Sequence, residues 1–147
     1  MKVLLTGHLG YIGRSVYDRL WLRGYNIQGI DLLEDLDITT CLLDYKVDLV
    51  IHLAGKSGVR ESINDPSAYW MNNVEGTKRI FNAFSKNTRI LYASSSSAYE
   101  PALNPYAASK FLIDQIAPKN SVGMRFHTVY SNKPRAGMFL DKLINGT

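Results

Sequence analysis

Met1-Lys-Val-Leu-Leu-Thr-Gly7-His-Leu-Gly10-Tyr-Ile-Gly13 opens the chain and decides how the rest is read. A short apolar run, predicted to be a strand, ends in glycines spaced Gly-x-x-Gly-x-x-Gly. The segment Tyr11 to Arg23 follows as a predicted helix. Glycines let the backbone turn sharply and come close to a pyrophosphate, which the free N–H groups and positive dipole end of a helix N-terminus attract. The spacing alone also suits a plain tight turn. Its place between a strand and a helix is what makes it a dinucleotide site.

Asp31 strengthens that reading. Tyr25 to Asp31 is predicted to be a second strand, and the carboxylate falls at its C-terminal end. There it accepts hydrogen bonds from an adenosine ribose and repels a 2′-phosphate, which favours NAD over NADP. The other role for an aspartate at this place is a helix or loop cap.

The chain has 147 residues, 46% hydrophobic, with a formal net charge of +4 and one cysteine, Cys41. That length suits a single domain, 1–147, with little room for a second. No apolar run approaches the roughly 20 residues that span a bilayer, and no signal peptide precedes the first strand. A lone cysteine excludes an internal disulfide, so a cytoplasmic location is expected. The basic residues are scattered among acids, which argues against a nucleic-acid partner. His8, His52 and His127 form no metal-ligand pattern, and no metal is expected. His52, at the end of an apolar run, reads as a satisfied core histidine.

Strand and helix signals then alternate. Val47–Leu53, Arg89–Ser94 and Ser121–Arg125 are predicted strands. Ser67–Asn87 and Asn104–Ala117 are predicted helices, the second begun by an Asn-Pro cap and first-turn pair. Such alternation gives an α/β, Rossmann-type doubly wound parallel sheet, here expected to have six or seven strands with helices on both faces. Tyr106-Ala-Ala-Ser-Lys110 sets a phenol and an ammonium at i and i+4 on one helix face, where the positive charge stabilises phenolate for acid–base work. That spacing is common by chance. Ser94-Ser-Ser-Ser97 beyond a buried strand adds weight, because ligands of open parallel sheets lie past the C-terminal strand ends. Lys56 and Arg60 read as a solvated loop, with contact to a substrate phosphate as the alternative.

Taken together, Thr6–Gly13, Gly29-Ile-Asp31, Asp37-Ile38, His52-Leu-Ala-Gly55, Gly58–Ser62, Asn73–Thr77, Ser94–Tyr99, Tyr106–Lys110 and Arg125–Tyr130 resemble the extended short-chain dehydrogenase/reductases, especially the UDP-glucose and UDP-glucuronate 4-epimerases. The resemblance implies NAD as cofactor. It assigns Gly7, Gly10 and Gly13, with Tyr11 and Ile12 between them, to the pyrophosphate. It assigns Asp31 to the ribose and Asp37 and Ile38 to the adenine. Leu53, Ala54, Gly55 and Asn73 line the cofactor, and His127 stands where an aromatic residue usually packs near the nicotinamide. Ser95, Tyr106 and Lys110 match the catalytic hydroxyl, the acid/base tyrosine and the lysine that holds the nicotinamide ribose. Lys56, Ser95 and Ser96 fall on the substrate side.

The activity that the resemblance implies is an NAD-dependent nucleotide-sugar epimerase acting on a UDP-linked substrate. Tyr106 takes a proton from a sugar hydroxyl, and hydride passes to NAD and back to the other face of the sugar. Ser96 and Ser97 replace the Asp-Glu pair of dehydratase relatives, which argues against sugar dehydration. Most of the family's C-terminal substrate domain is missing, as is a loop between Ser95 and Tyr106. Two alternatives stay open: a small NAD-dependent dehydrogenase or reductase of a simple alcohol or ketone, and a non-catalytic NAD-binding module. The resemblance also implies a homodimer through helices 67–87 and 104–117. Trp70, Met71, Phe81, Phe84, Phe111 and Leu112 there offer more apolar surface than one sheet-facing stripe needs.

Overall fold

In the computed structural model, which describes residues 1–84, 87–131, 136 and 139–145, five parallel strands form one sheet. They are β1 (Lys2–Thr6), β2 (Asn26–Ile30), β3 (Leu49–His52), β4 (Arg89–Ser95) and β5 (Ser121–Phe126), in the order β2-β1-β3-β4-β5. β1 is an interior strand between β2 and β3, with Val3, Leu4 and Leu5 at 0% exposure. Alternate residues feed two layers, as strand periodicity dictates. Val3, Leu5 and Ile51 pack under Val16, Tyr17 and Leu20 of α1 (Tyr11–Leu22). On the opposite face, Leu4, Val50 and Ile90 pack with Ile80 and Phe84.

That second face is covered by a compound helix. α2 (Val59–Asn64) ends at Asp65, whose carboxylate accepts from Ala68 N and starts α3 (Pro66–Tyr69) with Pro66 in its first turn. A π-helical turn, Trp70–Glu75, joins α3 to α4 (Gly76–Ala83). α5 (Pro105–Gln115) lies beside it, and α6 (Phe139–Asn145) ends the described chain. The expected cap of α5 is present: Asn104 Oδ1 accepts from Ala107 N at 2.8 Å and Pro105 occupies the first turn.

Two expectations are corrected. The sheet has five strands among the described residues, not six or seven, because the chain between β2 and β3 forms turns instead of a strand. Asp37 caps one turn, accepting from Thr39 N at 2.7 Å on its side chain and from Thr40 N and Cys41 N on its carbonyl. Arg79 of α4 donates to the carbonyls of Ile38 and Cys41. The chain is thus held in turns over Asp37–Cys41, and β2 is an edge of the sheet. The helix expected over 67–87 ends at Ala83. Phe84 turns extended (φ −103°, ψ 135°) and folds its ring into the core; residues 85 and 86 lie outside the described residues.

Candidate functional site

The C-terminal ends of β1, β2 and β3 meet at the glycine loop. Gly7 adopts φ 72° and donates its N–H to Ile30 O at 2.7 Å, while Gly10 N donates to Gly7 O at 3.1 Å. A Cβ on Gly7 would lie 2.6 Å from Ala54 N, and one on Gly13 would lie 1.9 Å from Gly7 O. The loop, α1 and the Leu53–Gly55 backbone are therefore in direct contact, and only glycine permits it. α1 opens at Gly10 without a side-chain cap, leaving its first-turn N–H groups to an anion.

Asp31 borders this loop. Its Oδ2 accepts from Leu9 N at 2.9 Å and its Oδ1 from Leu33 N at 3.1 Å. It therefore does cap the turn at Leu32–Glu34, while also holding the glycine loop. Each carboxylate oxygen keeps a further lone pair for a ribose hydroxyl. Ile38 lies in the core at 5% exposure, whereas Asp37 is half-buried at the turn it caps. Tyr11 directs its hydroxyl to Ser131 Oγ, 3.0 Å away, and Ile12 is half-buried beside it.

Behind the loop lies a buried polar column. His52, as its sequence position suggests, is a satisfied core histidine. Its Nδ1 and Nε2 lie 2.6 Å from Thr6 Oγ1 and 2.9 Å from Thr77 Oγ1. Burial, aided by the charge of Lys110, pushes its pKa down to about 3. Asn73 sits in the π-helical turn and is 1% exposed. Its Oδ1 accepts from Lys56 N at 2.8 Å, and its Nδ2 donates to Lys56 O and to Ser109 Oγ, both at 3.0 Å. One amide thus ties the loop after β3 to the helix bearing Tyr106 and Lys110. Single π-turns recur at such places because the extra residue re-aims a side chain. The Lys56 side chain itself is exposed.

Ser95 and the ammonium of Lys110 lie at the end of β4, and Tyr106 stands one helical turn before Lys110 on α5. Lys110 is buried and donates from Nζ to Ala93 O at 2.8 Å. Burial pulls its pKa down to about 8, and Asp114 opposes the shift. A β carbon on Gly55 would lie 3.6 Å from Lys110 Nζ, so the ammonium also borders the cofactor-side loop. Ser95 is buried and accepts from Ser97 N at 3.1 Å, which leaves its hydroxyl proton for another partner. The half-buried Tyr106 meets the ring of Tyr69 edge-on at 6.3 Å. A cleft of about 540 Å³ is lined by Ser96 and Ala107, the chain neighbours of Ser95 and Tyr106, and by Val59, Ser97, Tyr99 and the exposed His127 among others, but not by Ser95, Tyr106 or Lys110 themselves.

Asp114 and Tyr92 are site neighbours that sequence reasoning did not single out, and Arg125, which opens the Arg125–Tyr130 match, has no role assigned there. The one available signal was the position of Asp114, one helical turn past Lys110. No group of three or more His, Cys, Asp or Glu side chains among the described residues has metal-binding geometry.

Residues 3–146 match the model of the NAD dependent epimerase/dehydratase family, and the chain belongs to that family. It is 28% identical to Protein CapI of Staphylococcus aureus over 195 aligned positions, covering 97% of this chain and 58% of the relative. It is 28% identical to a UDP-glucose 4-epimerase of Pisum sativum, covering 79% of this chain and 46% of the relative. Among solved structures, MoeE5 in complex with UDP-glucose and NAD superposes with a TM-score of 0.84 at 29% identity, over 100% of this chain and 61% of that one. The chain thus spans roughly half the length of the curated relatives it matches. The alignment to CapI is longer than the 147 residues of the chain, so CapI has internal segments with no counterpart here.

Proposed function

We propose that residues 1–147 form one NAD-binding unit that carries an epimerase of nucleotide sugars, with UDP-linked sugars as the substrate class. The observation that carries this is the seat of Lys110. It is buried, bonded to Ala93 O beside Ser95, and one helical turn from Tyr106. The glycine loop, the uncapped start of α1 and Asp31 fit the cofactor: the loop admits a pyrophosphate and the carboxylate a ribose with a free 2′-hydroxyl. Leu53 to Gly55 and Asn73 would border it, with Asp37 and Ile38 on the adenine side and Lys110 near the nicotinamide ribose. NAD, when bound, supplies the hydride acceptor and donor.

The chain's own residues manage the proton. Tyr106 acts as general base on a sugar hydroxyl, Ser95 donates a hydrogen bond to the same oxygen, and the ammonium of Lys110 favours negative charge on Tyr106. The same tyrosine returns the proton, as a reaction that restores its cofactor requires. Ser96, Lys56 and His127 face the substrate side. The likeness to MoeE5 and to 4-epimerases supports this substrate class. The single free cysteine and the lack, among the described residues, of any helix long and apolar enough to cross a membrane agree with a cytoplasmic protein. Trp70, Met71 and Phe111, exposed on the covering helices, support a homodimer.

Incubation with NAD and a panel of UDP-sugars, followed by chromatography, tests the reading. A new epimer should appear with the wild-type chain and fall about 10²–10⁴-fold with Tyr106→Phe. NAD binding without interconversion of any UDP-sugar overturns the epimerase. Net formation of reduced nicotinamide from a simple alcohol would instead favour the dehydrogenase. The short Ser95–Tyr106 interval is the feature that keeps that second reading in play.

A further inference from the structure

Asp114 belongs to no motif, yet three side chains from two strands converge on it. Tyr92 donates its hydroxyl to Oδ1 at 3.0 Å, and Ser94 Oγ and Arg125 Nε donate to Oδ2 at 3.0 and 2.8 Å. Tyr92 and Ser94 flank Ala93, whose carbonyl holds Lys110, and Ser94 is the registered partner of Arg125 in the β4–β5 ladder. The Arg125 guanidinium also stacks over Tyr99 at 4.5 Å from its centroid, and Tyr99 forms part of the cleft wall. A carboxylate with 9% side-chain exposure that accepts three donors is held in one place, and it sits one turn along α5 from the buried ammonium.

We propose that Asp114 is a positioning residue: it docks α5 onto β4 and β5, seats Lys110 beneath the cofactor, and holds Arg125 against Tyr99, a residue of the substrate cleft wall. The proposal rests on the cofactor and substrate reading given above. Its electrostatic part is separate from its geometric part. Burial works against the charged form of Lys110, and the Asp114 carboxylate works for it. The other titratable groups in this neighbourhood include Tyr106 on α5, Tyr69 against it, His52 on β3, Tyr92 on β4, Arg125 on β5 and Tyr99 under the Arg125 guanidinium.

The test uses the whole chain labelled with ¹³C at lysine Cε, with the Lys110 resonance assigned by its loss in Lys110→Met. Asp114→Asn should move the Lys110 titration midpoint to lower pH and weaken NAD binding on the order of tenfold by calorimetry, the worth of one misplaced charge-assisted hydrogen bond. Asp114→Glu, which keeps the charge, should hold the midpoint near the wild-type value. A midpoint and an NAD affinity both unchanged in Asp114→Asn, with only the melting temperature lowered, would reduce Asp114 to a packing role and overturn the proposal. Should Asp114→Asn not fold, Ser94→Ala removes one donor and leaves the carboxylate. It should weaken NAD binding several-fold, and an unchanged affinity overturns the proposal equally. If the wild-type chain itself fails to bind NAD, the cofactor reading falls, and the Lys110 midpoint alone judges Asp114.

Discussion

A Cβ on Gly13 would sit 1.9 Å from Gly7 O, whereas one on Gly10 would sit 3.1 Å from the same atom. Gly13→Ala must therefore push the loop off the helix it opens, and Gly10→Ala asks for a shift of only a few tenths of an ångström. Overpacking of this kind costs about 1–3 kcal/mol or more. Denaturant unfolding and calorimetry should show Gly13→Ala losing both stability and NAD binding, with Gly10→Ala the milder of the two. His52 gives a pH signature. Its pKa falls from an ordinary 6.5 to about 3 in the folded chain, so the unfolded chain binds the proton first as pH drops. Stability is fully present above the unfolded value and declines through the window between the two, by up to about 1.4 kcal/mol per pH unit. Urea midpoints across that window should show the decline, and His52→Asn should flatten it while lowering stability throughout.

The covering helices carry the dimer prediction. Phe84 points into the core, and Phe81 and Leu112 pack against core clusters, so half of the six apolar residues named for an interface are spoken for within the chain. Trp70 at 48%, Met71 at 50% and Phe111 at 37% exposure remain outside. Light scattering at micromolar concentration should give about twice the 16.5 kDa chain mass. Phe111→Glu should return it to the monomer without unfolding, since the side chain is already part-exposed and its charge would be buried only in the dimer. A wild-type mass of one chain overturns the dimer. The π-helical turn in the same rod is a feature that hydrophobic spacing could not announce. Its six residues, Trp70–Glu75, include Asn73, which bonds Lys56 and Ser109.

For the molecule entire, cofactor binding and folding are linked. A ligand that binds only the folded chain adds about 2.7 kcal/mol at a hundred times its dissociation constant. NAD at such an excess should therefore raise the melting temperature by several degrees. NADP at the same concentration should raise it less, because the Asp31 carboxylate, held at the loop by two backbone donors, would repel a 2′-phosphate. An equal or larger shift with NADP would show that Asp31 does not select the ribose.

Local signals carried far in this chain. The glycine spacing, the apolar runs of β1, β3 and β4, and the Asn104-Pro105 helix start are short-range patterns whose physics is complete within a few residues: φ freedom, burial on both faces, a capped first turn. Hence the doubly wound sheet, its glycine loop and the Tyr106–Lys110 helix were legible from residues alone. The number of strands was not, because Arg79 reaches across from α4 to take the carbonyls of Ile38 and Cys41 and leaves β2 at the edge. Nor was the convergence of Tyr92, Ser94 and Arg125 on Asp114, nor the clamp of Asn73 on Lys56 and Ser109. These contacts join residues from different strands and helices, and only the packed sheet brings them within hydrogen-bond reach.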